Sequence, residues 1–215
     1  MSRDLAIYGA GGFGRELALM VEQINADQKR WRVIGFFDDG KTAGGVVDDI
    51  ELLGGIDALN AWSTPLSVVI ALADPAVRAG VVMKIKNEHV DFPVMIHPLS
   101  SAGSFRNSYG KGTVITAGSI LTTGIELKDF VIVNLASTIG HDVKIGSYTS
   151  VMPGCNISGG VAIGEGNLIG TGAQVLQCLS IGNHCKIGAG AVVTRSLESG
   201  KTFVGIPARP KGPKP

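Results

Sequence analysis

The stretch IGEGNLIGTGAQV, residues 163–175, has an aliphatic residue at every sixth position, and the same spacing continues on both sides of it. All fourteen positions reached in steps of six from Ile115 to Val193 are Ile, Leu or Val. Two residues before each of them, eleven of the fourteen positions hold Ser, Thr, Ala, Val or Cys. The exceptions are Ile125, Asn167 and Leu179. A period of six fits neither a helix of 3.6 residues per turn nor a simple hairpin, and it predicts a parallel β-solenoid whose short strands end at tight corners.

Residues 1–96 have a different pattern, in which strand-like and helix-like segments alternate. The strand-like segments are residues 5–8, 33–37, 68–72 and 94–96, and the helix-like segments end at Ile24 and span residues 76–87. This βαβ alternation predicts an α/β domain with a small parallel, Rossmann-like sheet. His97-Pro98 marks the boundary, because proline favours extended backbone in the residue before it. We therefore expect two domains, residues 1–96 and 97–215.

A glycine-rich turn, GAGGFG at residues 9–14, follows the first strand and has the pattern G-x-G-x-x-G. Such glycines let the backbone approach a phosphate, and the next helix adds free N–H groups and partial positive charge. The second strand ends in Asp38 and Asp39, whose carboxylates can accept hydrogen bonds from a ribose or a base. These features predict a nucleotide-binding site; the alternative is that the glycines only permit tight packing. A nucleotide carried by the substrate fits better than NAD, because the second half is a solenoid.

Composition and charge exclude several classes of protein. With 45% hydrophobic residues and a net charge of +1, the chain can bury enough apolar surface to fold, so it is not a disordered protein. The balanced charge argues against a nucleic-acid partner, which would select a basic face. The longest apolar run, residues 68–73, is far below the roughly 18 residues that a membrane span needs. The first residues show no signal-peptide cleavage site, and we expect a cytoplasmic location.

The repeats resemble the hexapeptide-repeat family of left-handed β-helix acyltransferases. The segments that carry the resemblance are IGSYTS, IGEGNL, IGTGAQ, IGNHCK and IGAGAV, in which glycine follows the aliphatic residue. The resemblance implies a left-handed helix with three hexads, or 18 residues, in each coil. Residues 115–193 would then form between four and five coils. Cys155 and Cys185 fall at the small inward position of this repeat, so we expect them to be structural.

The whole chain resembles the sugar O-acyltransferase family, which contains sialic acid O-acetyltransferases and bacterial UDP-amino-sugar N-acetyltransferases of the bacillosamine type. The matching segments are IYGAGGFGRE, FFDD, IALADPAVR, IHP, VNLASTIGHDVKIG and FVGIPAR. The resemblance implies a homotrimer that transfers an acetyl group from acetyl-CoA to a nucleotide-linked amino sugar. Two alternatives stay open: acetylation of a sugar hydroxyl, and a non-catalytic, nucleotide-binding assembly subunit.

His141, which Asp142 follows, is the candidate general base. Acyl transfer to an amine needs a group that removes a proton, histidine titrates near neutral pH, and an adjacent carboxylate can orient it. The histidine of this pair has that role in the family, so the resemblance assigns it to His141, with Asp142 as its partner. No metal is expected, because His184 lies 43 residues away and faces another side of an 18-residue coil.

The resemblance also implies binding residues. For the nucleotide sugar they are Gly11, Gly12, Phe13, Asp38, Asp39 and Asn134. For acetyl-CoA they are Ser150, Gly159, Thr171 and Ala189, with Ser150 at the position where many relatives have a second histidine. Gly159 lies one coil after His141, so we expect it to stack beside His141 at about 4.8 Å and to leave a groove open. Ser150 lies half a coil from His141, so a site that uses both would lie between subunits.

Overall fold

The computed structural model of the chain describes residues 2–27 and 29–212. The chain divides into two compact units, Met1–Pro93 and Val94–Pro215. The boundary falls three residues before the predicted one, because the strand-like segment 94–96 does not end the first unit. Met95–Ile96 pairs in parallel with Val114–Ile115, and it is therefore the first strand of the solenoid.

The first unit is built on one sheet. Within the described residues, its strands are β1 (Arg3–Tyr8), β2 (Trp31–Phe37), β3 (Val46–Val47), β4 (Ile50–Gly54), β5 (Leu66–Ile70) and β6 (Val90–Asp91), and its helices are α1 (Gly12–Asp27), α2 (Ile56–Asn60) and α3 (Pro75–Lys84). The strand order is β3-β4-β2-β1-β5-β6, and all pairs are parallel except β3 with β4. The last four residues of the central strand β1 are buried, so both faces of the sheet are covered there.

The second unit is a three-sided parallel β-helix. Face 1 contains β7 (Met95–Ile96), β10 (Val114–Ile115), β13 (Ile132–Val133), β16 (Ser150–Val151), β19 (Leu168–Ile169), β22 (Lys186–Ile187), β24 (Thr202–Val204) and β25 (Arg209–Pro210). Face 2 contains β8 (Ser101–Ala102), β11 (Ile120–Leu121), β14 (Thr138–Ile139), β17 (Asn156–Ile157), β20 (Gln174–Val175) and β23 (Val192–Val193). Face 3 contains β9 (Ser108–Tyr109), β12 (Glu126–Leu127), β15 (Lys144–Ile145), β18 (Ala162–Ile163) and β21 (Ser180–Ile181).

Three corners connect the faces, and each corner is the segment between consecutive strands, four residues long in the coils from β10 to β23 and five residues long between β8 and β9. Corner 1–2 follows a face 1 strand, as in residues 134–137; corner 2–3 follows a face 2 strand, as in residues 140–143; corner 3–1 follows a face 3 strand, as in residues 146–149. Wherever two strands between β10 and β23 pair, the paired residues are 18 positions apart, so that Ile139 lies beside Ile157. All fourteen predicted aliphatic positions belong to the buried core of the β-helix.

A first coil precedes the one that the repeat predicts. In this coil β7, β8 and β9 pair with the strands of the next coil, but Ile96 pairs with Ile115, which is 19 residues later rather than 18. The extra residue lies between Ala102 and Tyr109, which are seven positions apart. Counting in steps of six therefore loses the register between Tyr109 and Ala102, so this count does not find the first coil.

The polar exception in the repeat, Asn167, is fully buried in the β-helix. Its side-chain oxygen accepts a hydrogen bond from the Cys185 N–H (2.7 Å), and its side-chain nitrogen donates to the Gly164 carbonyl (2.8 Å). Its own N–H donates to the Thr149 hydroxyl (3.1 Å). These bonds replace the hydrogen bonds to water that an amide loses on burial, so an asparagine is tolerated at a position where the repeat otherwise has small and aliphatic residues.

We expect Asn167→Ala to lower the free energy of unfolding by about 2–3 kcal/mol, because it leaves the buried Cys185 N–H without its acceptor and opens a cavity. Urea or thermal unfolding followed by circular dichroism measures this. The matched control is Asn183→Ala: Asn183 also accepts a backbone hydrogen bond, from the Glu165 N–H (3.0 Å), but it is exposed. Equal losses in the two variants would contradict the role given to the buried hydrogen bonds.

Candidate active site

Three loops of the first unit meet at one edge of its sheet. Strand β1 lies between β2 and β5, and the three strands are parallel, so their carboxyl ends share an edge. The glycine turn 9–14 follows β1, Asp38 and Asp39 follow β2, and residues 71–74 follow β5. Ligands of open parallel sheets bind beside this edge. The predicted nucleotide-binding residues of the first unit thus come from adjacent loops.

The glycines of the turn have two distinct roles. Gly9 has φ +106°, and a Cβ there would stand 3.0 Å from the Ala71 carbonyl oxygen; a Cβ at Gly14 would overlap the Gly9 carbonyl oxygen. Tight packing therefore explains these two glycines. It does not explain Gly11 and Gly12, which are exposed and would have no atom within 4 Å of an added Cβ. Their missing side chains leave the backbone open to a ligand, as a phosphate-binding loop requires.

Asp38 and Asp39 lie at this edge of the sheet, and their side chains also hydrogen-bond to the neighbouring loops. Asp38 accepts hydrogen bonds from the N–H groups of Ala10 and Gly40 (both 2.8 Å). Asp39 accepts one from the Tyr8 hydroxyl (2.8 Å) and one from the Ile56 N–H (2.7 Å). Each carboxylate oxygen has a second lone pair, so both residues can still accept a hydrogen bond from a ligand.

The Tyr8 hydroxyl is a fixed donor to Asp39. Burial and, next, the hydrogen bond to the Asp39 carboxylate raise the pKa of Tyr8 above its usual range. The phenol therefore stays protonated and keeps donating at neutral pH. Sequence reasoning named Asp39 but not this partner, which is the last residue of β1.

The loop after β5 is held by Arg78, which sequence reasoning did not single out. Arg78 is buried, and its Nη1 donates to the carbonyl oxygens of Leu72 (2.5 Å) and Ala73 (3.2 Å). Asp74, which follows Ala73 in this loop, caps the N terminus of α3 because its side chain accepts hydrogen bonds from the N–H groups of Ala76 and Val77. Pro75 is the first residue of the helix. The sequence does carry a signal for the burial of Arg78: it lies three positions after the buried Pro75 and therefore on the same face of the helix.

His141 and Asp142 lie at corner 2–3 of the β-helix. The His141 Nδ1 is 2.9 Å from Asp142 Oδ2, and both side chains are about 70% exposed. Because a carboxylate only accepts, this contact favours the tautomer of the neutral imidazole that carries its proton on Nδ1 and its lone pair on Nε2. The predicted pair is therefore formed within one chain, and it faces solvent.

The backbone at this corner is fixed by the adjacent coils. The Asp142 N–H donates to the Thr123 carbonyl of the preceding coil (3.0 Å), and the Gly160 N–H of the next coil donates to the His141 carbonyl (2.7 Å). Asp142 has φ +60°, a left-handed conformation that few residues other than glycine adopt without cost. The corner thus presents the pair from a rigid support.

Gly159 stacks beside His141, as its spacing of 18 residues predicts, but the space beside it is not an empty groove. A Cβ built on Gly159 would stand 2.6 Å from the His141 Cε1 and 2.8 Å from Cδ2. The imidazole itself fills the volume that a side chain of Gly159 would need. The expectation that this glycine leaves a groove open is corrected accordingly.

The other predicted binding residues of the β-helix lie elsewhere. Thr171 and Ala189 are exposed at corner 1–2, one coil apart. Asn134 is at the same corner but is 5% exposed, and its Oδ1 accepts from the Leu135 N–H (2.7 Å). Ser150 is on face 1 and has no exposed surface, so the structure leaves it none for a cofactor. Within one chain, none of these four shares the corner of His141.

The remaining histidines and cysteines do not gather at a site. His184 is exposed at corner 3–1, 3.5 Å from a carboxylate oxygen of Glu165. Cys155 and Cys185 are buried in the core of the β-helix, and Cys178 is exposed. In the described part of the chain, no group of three or more His, Cys, Asp or Glu is placed to hold a metal ion. No helix of residues 2–27 and 29–212 has the length and apolar character to cross a membrane.

Comparisons with known proteins identify the family. Residues 4–85 match the PglD N-terminal domain, and residues 160–195 match the bacterial transferase hexapeptide (six repeats). The chain is 32% identical over 154 residues to GDP-perosamine N-acetyltransferase of Escherichia coli O157:H7, a match that covers 71% of this chain and 69% of that protein. The chain belongs to the hexapeptide-repeat sugar acyltransferases, which confirms the family predicted from the motifs.

Two solved structures share the fold over almost the whole chain. The acetyltransferase domain of PglB from Neisseria gonorrhoeae FA1090, in complex with acetyl coenzyme A, has a TM-score of 0.87 and 32% identity and covers 98% of this chain and 100% of that chain. PerB from Caulobacter crescentus, in complex with CoA and GDP-perosamine, has a TM-score of 0.84 and 25% identity and covers 97% of both chains. These matches confirm the predicted fold class, an α/β unit followed by a left-handed β-helix.

We expect Asp38→Ala and Asp39→Ala to loosen different amides. Loss of Asp38 leaves the N–H groups of Ala10 and Gly40 without their acceptor, and loss of Asp39 does so for Ile56. The loss of one such hydrogen bond should make hydrogen exchange of the released amide about tenfold faster. Hydrogen–deuterium exchange by mass spectrometry measures the pattern in each variant, and each serves as the control for the other. The same pattern in both variants would contradict the separate roles.

Proposed function

We propose that this chain is an acetyltransferase that moves the acetyl group of acetyl-CoA to the amine of a nucleotide-linked amino sugar. The observation that carries the proposal is the His141–Asp142 pair, exposed at a β-helix corner in a chain whose other unit has a phosphate-type glycine loop. The relatives named above are N-acetyltransferases and acetyltransferases, and their solved complexes contain acetyl-CoA, CoA or GDP-perosamine.

In the proposed reaction, His141 is the general base and Asp142 is its positioning partner. The sugar nitrogen attacks the thioester carbonyl, and its proton moves to the unprotonated Nε2. The C–S bond then breaks, the departing CoA sulfur takes the proton from the His141 Nε2, and CoA leaves as a thiol while the imidazole becomes neutral again. Asp142 holds the Nδ1–H, so it keeps the imidazole in the tautomer that can accept at Nε2.

The first unit supplies the proposed nucleotide site. The open backbone at Gly11 and Gly12, together with Phe13 at the start of α1, would bind the diphosphate through N–H donors and the helix N terminus. Asp38 and Asp39 would accept hydrogen bonds from the ribose or base with their remaining lone pairs.

The second unit supplies the proposed acetyl-CoA site, through Gly159, Thr171 and Ala189. Gly159 is at corner 2–3, whereas Thr171 and Ala189 are at corner 1–2, so two chains would have to combine these residues at one site. This separation supports a homotrimer in which acetyl-CoA lies between neighbouring β-helices. Ser150 is left out of the proposed site because it is buried; Asn134 stays a candidate contact of the sugar. The proposal includes a cytoplasmic location.

An acceptor panel tests the proposed reaction. Purified protein is incubated with acetyl-CoA and UDP-, GDP-, dTDP- and CMP-linked sugars, each as an amino sugar and as its hydroxyl analogue. The released thiol is followed with a chromogenic disulfide, and the product mass is measured. Acetylation of at least one amino sugar, with no reaction of its hydroxyl analogue, is the expected result. Acetylation of hydroxyl sugars alone would overturn N-acetylation, and binding without any transfer would favour the non-catalytic alternative.

We expect His141→Ala to lower kcat by about 10²–10⁴, the usual contribution of a general base, while the oligomeric mass and the melting temperature stay unchanged. The matched control is His184→Ala, because His184 is also an exposed corner histidine beside a carboxylate. It should retain wild-type kcat. Steady-state kinetics with the acceptor found in the panel measure both variants. A His141→Ala enzyme with wild-type turnover would refute the assigned base.

A further inference from the structure

The imidazole of His141 occupies the place of a missing side chain. His141 and Gly159 are at equivalent positions of successive coils at corner 2–3, and the ring leans towards the glycine. A Cβ at Gly159 would be 2.6 Å from Cε1 and closer still to Nε2. Non-bonded carbon and nitrogen atoms do not approach so closely, so any residue other than glycine at position 159 would force the ring to move.

The backbone of Gly159 does not itself require glycine. Its φ lies outside the left-handed region, in contrast to Gly160, which has φ +68°. An alanine at position 159 would therefore find an ordinary backbone conformation. The space taken by the imidazole is the feature of this position that demands a missing Cβ.

Asp142 lies against a glycine of the preceding coil, just as His141 lies against a glycine of the next coil. A Cβ at Gly124 would stand 2.5 Å from Asp142 Oδ1, so the carboxylate lies over that glycine while its Oδ2 binds the His141 Nδ1. The hydrogen-bonded pair is thus accommodated between two glycines, Gly124 below and Gly159 above. The Nε2 atom, which must accept the proton, is the ring atom nearest to Gly159.

We propose that Gly159 is a positioning residue for the catalytic base: its missing side chain sets where the Nε2 of His141 stands. This inference rests on the proposed function, in which His141 removes the proton of the amine. It assigns Gly159 a role that is separate from contact with acetyl-CoA. Because His141 is exposed, a methyl group at position 159 displaces the ring outwards without breaking the β-helix.

The first test is the kinetics of Gly159→Ala. Displacement of a catalytic group by about 1 Å can lower the rate about 100-fold, so we expect kcat to fall 10- to 100-fold with little change in the KM for acetyl-CoA. The matched control is Gly103→Ala, at corner 2–3 of the first coil, where φ is also outside the left-handed region and no atom lies within 4 Å of an added Cβ. This control should keep wild-type kinetics.

The second test is a double-mutant cycle with His141→Ala. Without the imidazole there is no ring to displace, so Gly159→Ala should cause no further loss in that background. An equal loss in both backgrounds, or a higher KM for acetyl-CoA at unchanged kcat, would overturn the inference and leave Gly159 as a cofactor contact only. The double variant lacks the clash, so it reports on Gly159 even if the single variant is unstable. Wild-type turnover of His141→Ala alone would instead refute the proposed function.

Discussion

Parallel pairing, with a shift of 18 residues over most of the β-helix, places residues beside their counterparts in the next coil. Because the coils are about 4.8 Å apart, a side chain at a corner lies close to the residue one coil away. Large corner side chains are therefore accommodated over glycines. Phe130 lies against Gly112 and His184 against Gly166, each in the preceding coil, and His141 lies against Gly159 in the next coil. The geometry of the candidate base follows from this spacing, and the same spacing buries the aliphatic positions that stabilise the coil.

The two units use glycine for different physical ends. In the turn after β1, Gly9 and Gly14 permit close packing of the chain on itself, and Gly11 and Gly12 leave the backbone uncovered. In the β-helix, Gly112, Gly159 and Gly166 make room for a side chain of another coil, whereas Gly140 and Gly170 let the backbone of the next coil approach closely. The high glycine content, 31 of 215 residues, thus combines uncovered backbone, close backbone packing and space for a neighbouring side chain.

The repeat allowed much of the β-helix to be predicted, because one buried aliphatic residue per strand leaves a strong periodic signal. The first coil was missed, since its position in register with Ile115 is Tyr109 rather than Ile, Leu or Val, and one extra residue between Ala102 and Tyr109 then breaks the period. The pairing of His141 with Asp142 could be predicted, because the resemblance to the family assigns the pair and the carboxylate directly follows the histidine in the chain. The burial of Ser150 and the direction in which the imidazole leans could not, because both depend on packing across coils. Arg78 was not singled out although its spacing from Pro75 was a signal; its contacts with the Leu72 and Ala73 carbonyls could not be predicted, because backbone groups carry no sequence signal.

The central claim is that the corner holds His141 with Nδ1 donating to Asp142 and Nε2 free to accept a proton. The ¹⁵N chemical shifts of the His141 imidazole, assigned by comparison with the His141→Ala protein and measured near pH 8, test this claim most directly. The account predicts a protonated Nδ1 and an unprotonated Nε2. A proton on Nε2 and none on Nδ1 would contradict it. Asp142 would then receive no hydrogen bond from the imidazole, and Nε2 would have no lone pair with which to accept a proton.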